Sequence, residues 1–168
     1  MTIIGPRRLR REDTRQGFSS GAPELDDWLE RYAWQNQATD NAVTYVFVDD
    51  ERIVGYYAIA MAAVSRTAAP EELSPGRRPA QIPCILLARL AVDRGFQNQG
   101  LGRDLLKDAL LRSVMLAGSI GAAAVLVHCR DEPARAFYLG AGDFLPSPAE
   151  DLHLMVPIKT LRKYVAAS

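Results

Sequence analysis

Few residues in this 168-residue chain have types and spacing suited to chemistry, and most stand in one loop. It reads Arg94-Gly95-Phe96-Gln97-Asn98-Gln99-Gly100-Leu101-Gly102-Arg103 and joins an apolar run to an amphipathic one. The first amides of a helix have no internal partner and its dipole favours negative charge, so a loop of this kind suits an anion. Gly100 and Gly102 let the backbone approach a ligand without a Cβ in the way. A diphosphate is the natural guest, with Arg94 or Arg103 adding charge-assisted contacts. The dinucleotide fingerprint is excluded, since no glycine stands two residues before Gly100 and no acidic residue follows at the end of a second strand. The phosphate-loop pattern is excluded too, because no Lys-Ser or Lys-Thr pair follows the glycines. Two glycines ahead of a helix are also ordinary loop punctuation, so the rest of the chain must decide. Apart from this loop, His128 is the one candidate base that titrates near neutrality, and a packed or hydrogen-bonded histidine is the competing role. The two histidines with Cys84 and Cys129 have no metal-ligand spacing, and both thiols sit in apolar surroundings that suit buried, reduced cysteines.

The loop needs a strand before it and a helix after it. Ile85–Val92 is short and apolar, bounded by Pro83 and Asp93, and reads as a buried strand. Leu101, Leu105, Ala109, Leu110, Val114 and Met115 share one helical face, and the helix ends near Gly118–Gly121. Ala122–Cys129 is a second apolar strand, expected parallel to the first through a right-handed crossover. Asp131 can cap a short helix that runs through Tyr138, with Pro133 in its first turn. Leu152–Val156 is a last strand, and Ile158, Leu161 and Val165 predict a terminal helical turn or two. Upstream, Pro23 opens a helix with Leu25, Trp28, Leu29 and Tyr32 on one face, and Asn36–Asn41 reads as a polar connection. Val43–Val48 and Ile53–Ile59 form a hairpin through Asp49–Arg52, with Gly55 marking a bulge, a close approach or simple tolerance. Ser65–Pro83, with four prolines and three arginines, reads as a long irregular segment that either contacts a substrate or partner or is a plain surface excursion.

Length and an apolar fraction of 48% describe one domain with its own core, residues 1–168. The twenty Lys and Arg balance the twenty Asp and Glu, so global charge gives no support to a polyanionic partner. Arg7, Arg8, Arg10 and Arg11 cluster near the N-terminus as a solvated segment or a polyanion contact. No apolar run has the length of a membrane span and no signal pattern opens the chain, so a cytoplasmic protein with no membrane contact is expected.

Gln97-x-x-Gly100-x-Gly102 resembles the acyl-coenzyme A pyrophosphate loop of the GNAT N-acetyltransferase superfamily. Asp131-Glu132-Pro133-Ala134-Arg135-Ala136-Phe137-Tyr138, ahead of Gly142 and Phe144, resembles that superfamily's C-terminal segment. Phe18, Ser20, Gly21, Leu25, Asp26, Trp28 and Leu29, Gly55-Tyr56-Tyr57 and Leu87–Asp93 resemble one branch, the acetyltransferase toxins of bacterial toxin–antitoxin pairs. The resemblance implies an α/β (α+β) GNAT fold: a central mixed, mostly antiparallel sheet with a splayed parallel strand pair, flanked by helices. It implies acetyl-coenzyme A as acetyl donor, without a metal. The amides of Gln97, Asn98, Gln99, Gly100, Leu101 and Gly102 would hold the pyrophosphate with Arg94 and Arg103. The main chain at Leu90, Ala91 and Val92 would bond the pantetheine arm, Asp131 would lie near the cofactor, and Tyr138 would give a proton to the departing sulfur. The competing role for Tyr138 is a ring packed on the sheet. Two departures stand out: Asp143 separates Gly142 from Phe144 where the family has them adjacent, and Asp131 stands where Asn is frequent.

The branch acetylates the amino group of aminoacyl-tRNA, which makes charged tRNA the expected acceptor. Arg77, Arg78 and Arg89 are then candidate acceptor contacts, and Arg7, Arg8, Arg10, Arg11 and Arg66 could add to a basic patch. A ribbon–helix–helix antitoxin is the partner that the resemblance implies, and a homodimer stays open. Two other readings compete: a small-amine or protein N-acetyltransferase, and a non-catalytic coenzyme A- or partner-binding module on the same fold.

Overall fold

Seven strands in the order β1-β2-β3-β4-β5-β7-β6 make the sheet around which the chain is arranged. The computed structural model describes residues 2–73 and 79–167. The elements run β1 (Ile3–Arg8), α1 (Pro23–Arg31), α2 (Ala33–Ala38), β2 (Val43–Asp49), β3 (Arg52–Ser65), β4 (Gln81–Val92), α3 (Leu101–Ile120), β5 (Ala124–His128), α4 (Glu132–Ala141), β6 (Leu145–Pro146), β7 (His153–Pro157) and α5 (Ile158–Ala167). β1/β2, β2/β3, β5/β7 and β6/β7 pair antiparallel, while β4 and β5 pair parallel. The mixed, mostly antiparallel sheet expected from the resemblance is therefore present. No helix among the described residues is long and apolar enough to cross a membrane.

The chain divides into two compact units, one of residues 1–60 with 88–109 and the other of residues 61–87 with 110–168. In the first, Leu9, Phe18, Trp28, Leu29, Val46, Ile53, Tyr56 and Ala91 belong to one apolar cluster. Asp50 and Glu51 take φ of 50° and 68°, the left-handed pair that a two-residue hairpin turn requires. Register then slips between Phe47 and Val48, whose partners are Gly55 and Ile53, so Val54 is the extra residue of a bulge. A Cβ on Gly55 would lie 3.2 Å from Leu105 Cδ1 and 3.6 Å from the Ala91 carbonyl. Gly55 thus serves both the bulge and the close approach.

In the second unit, Ala69, Leu73, Ile82, Cys84, Ala124, Leu126 and Met155 cluster. α5 packs on β5 and β7, with Ile158 and Leu161 buried. The parallel ladder joins Cys84–Leu87 to Ala124–Val127 and stops there, while β4 runs on to Val92. Both cysteines are buried and free.

Several boundaries differ from expectation. Asn36 and Gln37 lie in α2, because the buried Gln37 amide finds two backbone partners, the Leu9 carbonyl at 2.9 Å and the Thr44 amide at 3.0 Å. Pro83 lies inside β4, on an exposed position where a missing amide costs little, and its carbonyl accepts from Ala123 at 2.8 Å. The buried face of α3 is Leu105, Leu106, Ala109, Ser113 and Ala117, whereas Met115 is 76% exposed. Tyr32 and Val165 are also exposed rather than packed. Within Ser65–Pro83, β3 extends to Ser65, two 3-10 turns follow at Arg66–Ala68 and Glu71–Leu73, and β4 begins at Gln81. Arg7 is no loose terminal cation. It lies in β1 and binds both carboxylate oxygens of the buried Asp13, at 2.7 and 2.9 Å.

Candidate active site

The loop from Arg94 to Gly102 begins as a 3-10 turn, Arg94–Phe96, anchored by buried Phe96. Asn98 and Gly100 then take φ of 63° and 85°. Alternating these left-handed residues with ordinary ones turns successive amides toward one side, the concavity that receives oxyanions. The Asp104 amide donates to the Gly100 carbonyl at 3.0 Å and starts α3. Among the described residues no acceptor is bonded to the amides from Gln97 to Arg103. A Cβ placed on Gly100 would meet nothing within 4 Å, so the space beside Gly100 is open. Donors, open space and a helix N-terminus are what the diphosphate of a coenzyme needs. Arg103 lies exposed in the first turn of α3, and Arg94 is exposed with its guanidinium beside Gly21, whose Cβ would sit 3.7 Å away.

The segment Phe18–Gly21 braces this loop. Ser19 accepts from the Arg94 amide at 2.8 Å and donates its own amide to Asp93 at 3.0 Å. Gln97 Nε2 donates to the carbonyls of Ser20 and Val92 at 2.8 and 2.9 Å. Ser20 is held in turn by Asp26, which accepts from its amide and its hydroxyl. Gln97 therefore positions the loop with its side chain, leaving only its amide for a ligand.

The sequence marks Asp93 only as the end of a strand and of the Leu87–Asp93 match, although an Asp two residues before a glycine is an Asx-turn signal. It is 5% exposed and accepts from the Gly95 amide at 3.0 Å, the Ser19 amide at 3.0 Å and Arg52 at 3.2 Å. Removing it leaves the half-buried Ser19 amide without its acceptor and frees the Arg94–Phe96 turn, whose Gly95 amide is exposed to solvent. Asp93→Ala is expected to destabilise the fold by about 1–3 kcal/mol in denaturant titration and to weaken acetyl-coenzyme A binding in calorimetry.

Leu90 and Val92 are partly buried on β4, with Ala91 buried between them. The Val92 carbonyl is taken by Gln97, which removes it from the main-chain groups expected to be unpaired there. The Arg89 guanidinium lies 4.3 Å from the centroid of Trp28, a cation–π contact. Trp28 stacks on Tyr56 at 6.1 Å, and the Tyr56 hydroxyl donates to the Leu25 carbonyl at 2.7 Å. Arg89 is thus half occupied by packing. Arg77 and Arg78 lie outside the described residues.

In the second unit, Asp131 caps α4: its Oδ1 accepts from the Ala134 amide at 2.9 Å and its Oδ2 from Arg130 at 2.7 Å. Its carboxylate is engaged by the chain itself. Tyr138 follows on α4 and is 7% exposed, wedged edge-on against Phe137 and Phe144 at 5.2 and 5.6 Å. Among the described residues its hydroxyl makes no hydrogen bond and, unlike Arg135 Nε, is not a sealed unpaired atom. Burial, then the neighbouring Cys129, push its phenol well above the ordinary value, so it stays protonated. Burial likewise pushes the Cys129 thiol up to about 11. Asp143, the residue between Gly142 and Phe144, accepts from the Tyr164 hydroxyl of α5. His128 ends β5 opposite His153 of β7, with the rings stacked 3.8 Å apart.

The acetyltransferase (GNAT) family profile matches residues 7–142 of this chain. The chain is 44% identical over 160 residues to a tRNA-acetylating toxin of Mycobacterium tuberculosis, covering 95% of each protein. It is 33% identical over 172 residues to a probable toxin TacT of Sinorhizobium fredii, covering 95% of this chain and 93% of that one. Among solved structures, AtaT complexed with acetyl-methionyl-tRNAfMet superposes with a TM-score of 0.87 at 24% identity, over 98% of both chains. A Tyr→Phe variant of AtaT bound to acetyl-CoA and the C-terminus of the antitoxin AtaR gives 0.80 at 23% identity, over 98% and 97%.

Proposed function

The chain belongs to the GNAT acetyltransferase family, and on that premise we propose that it acetylates the α-amino group of aminoacyl-tRNA and so blocks translation as a toxin. One observation carries the choice of acceptor: 44% identity, along 95% of both lengths, to a protein named for tRNA acetylation. The open, left-handed turn with unpaired amides from Gln97 to Arg103 supports the family's acetyl donor at this loop.

Bound acetyl-coenzyme A would supply an activated thioester carbonyl and a thiolate leaving group. The amides of Gln97–Arg103 hold its diphosphate, and Arg94 and Arg103 add charge. The main chain at Leu90 and Ala91 orients the pantetheine arm. Tyr138 gives its phenolic proton to the departing sulfur. The protein's main contribution is alignment, since holding amine and carbonyl in line supplies much of the rate. In this reading residues 1–168 act as one acetyltransferase domain in the cytoplasm, neutralised by a DNA-binding antitoxin.

Net charge is zero, so tRNA must be met by local basic surface. Arg8, Arg10 and Arg11 are exposed, whereas Arg7 is neutralised by Asp13. The test is acetyl transfer onto a mixed pool of charged tRNAs with mass identification of the product. Acetyl-aminoacyl-tRNA should form, and kcat/KM should fall about 10³-fold or more between 50 and 200 mM salt if some six phosphates are contacted. Charge reversal at Arg77 and Arg78 should raise KM for tRNA and spare acetyl-coenzyme A binding. Salt-insensitive transfer confined to free amines would instead establish the small-amine reading.

A further inference from the structure

An acetyl transfer needs somewhere for the acceptor's proton to go. An α-amino group titrates near ~7.7–8.0, so around pH 7 much of it is ammonium, and even the free amine sheds a proton as the amide forms. Neither the loop nor Tyr138 can take it: the loop offers donors, and Tyr138 is itself the acid.

The second unit holds a pair of imidazoles that nothing above employs. His128 and His153 are directly paired across β5 and β7, with ring centroids 3.8 Å apart and planes 14° apart. Strand alternation puts Ala124, Leu126 and His128 on one face, opposite Met155 and His153. Leu126 and Met155 pack there with Ala69 and Leu73 of the irregular segment, so the imidazoles continue that apolar face to the carboxyl end of β5. His128 is also the first residue of β5 beyond its parallel ladder with β4, which ends at Leu87 and Val127. In α/β sheets, ligands bind outside the carboxyl ends of parallel strands.

The geometry points to His128 as the base that takes the proton from the acceptor's amine, with His153 as its stacked partner. This rests on the acetyl-transfer reading above. The amine nitrogen forms the new C–N bond and its proton passes to a free ring nitrogen of His128. As the C–S bond breaks, Tyr138 supplies the proton that the sulfur takes. His128, on the exposed end of its strand, releases its proton to solvent, and Tyr138 recovers one from it.

The charged and titratable groups acting on His128 are His153 from β7 and Glu150 from the turn before it. Burial first, then His153, hold its pKa below the ordinary histidine value, and Glu150 offsets part of this. His128 is therefore neutral and proton-accepting at pH 7, and the rate should fall as pH drops through its titration.

The test combines NMR titration of the His128 imidazole in the free chain with pH–rate profiles, on whichever amine the wild type acetylates. The acid limb of kcat/KM should share its midpoint with His128. His128→Gln should lose that limb and about 10²–10⁴-fold in kcat/KM, while acetyl-coenzyme A still raises its melting temperature. Free imidazole should restore part of the activity of His128→Ala. His153→Gln, which removes the neighbouring charge, should move the limb to higher pH. A His128→Gln enzyme that keeps its acid limb, or runs near the wild-type rate, overturns the proposal. Should free amines be acetylated but charged tRNA not, the acceptor assignment falls, and the His128 test proceeds on the free amine.

Discussion

Tyr138→Phe is expected to lower turnover by about 10²–10⁴-fold, the usual loss for a positioned acid, without lowering the melting temperature. The ring stays, and with it the edge contacts to Phe137 and Phe144. The deleted hydroxyl makes no hydrogen bond among the described residues, so no buried partner is left stranded. Burial raises the phenol's pKa, so Tyr138 is fully protonated near neutral pH and holds a proton to give. The loss should appear in kcat, with KM for the acceptor near its wild-type value, because the contact forms only as the sulfur departs. Growth arrest on expression should weaken in parallel.

The other tyrosines supply the control. Tyr56 donates to the Leu25 carbonyl, Tyr57 to Asp108 at 2.5 Å, and Tyr164 to Asp143. Phenylalanine at Tyr56 or Tyr57 removes a part-buried hydrogen bond and should cost stability first. Tyr138→Phe alone should combine intact folding and cofactor binding with lost turnover. Near-full turnover in Tyr138→Phe would mean that another group protonates the sulfur.

What could be read from the sequence was whatever depends on near neighbours. The β2–β3 hairpin, the loop into α3, β5, and α4 with Asp131 as its cap follow from period and punctuation. α2 did not, because Asn36 and Gln37 look like a polar connection until Gln37 is seen between Leu9 and Thr44, distant in sequence. The face of α3 was misread by its apolar content: Met115 faces out while Ser113 is 1% exposed. Periodicity ranks side chains by polarity, whereas burial follows which side of the helix meets the sheet.

The site divides in the same way. Gly100 and its flanking amides were legible because helix-terminus physics is local. The brace was not. Asp93, Ser19, Ser20 and Gln97 meet across more than seventy residues of chain, as the Ser19–Asp93 bond shows. The Gln97 amide could be singled out in the sequence, but not its side chain, which ties Ser20 to Val92. The imidazole stack of His128 and His153 likewise depends on the β5/β7 register, which no local pattern encodes.

Gly100→Val should abolish the thermal shift produced by acetyl-coenzyme A. A ligand at a hundredfold excess over its Kd stabilises the folded state by about 2.7 kcal/mol, or roughly 5–10 °C for a chain of this size. Gly100 has φ of 85° and nothing within 4 Å of a built Cβ. A Cβ there meets no other part of the chain, and a branched side chain on this loop would crowd a diphosphate bound to its amides. It does carry a backbone cost, since a left-handed conformation disfavours L-residues by about 1–2 kcal/mol and β-branched ones most. That cost must be separated from the loss of binding. Gly17 separates the two: its φ is 84°, and its Cβ position is equally empty. Gly17→Val should lower the melting temperature of the free protein about as much as Gly100→Val and leave the shift with acetyl-coenzyme A at its wild-type size. Only Gly100→Val should lose the shift, and with it binding in calorimetry. Equal shifts in the two variants would place the diphosphate somewhere other than this loop.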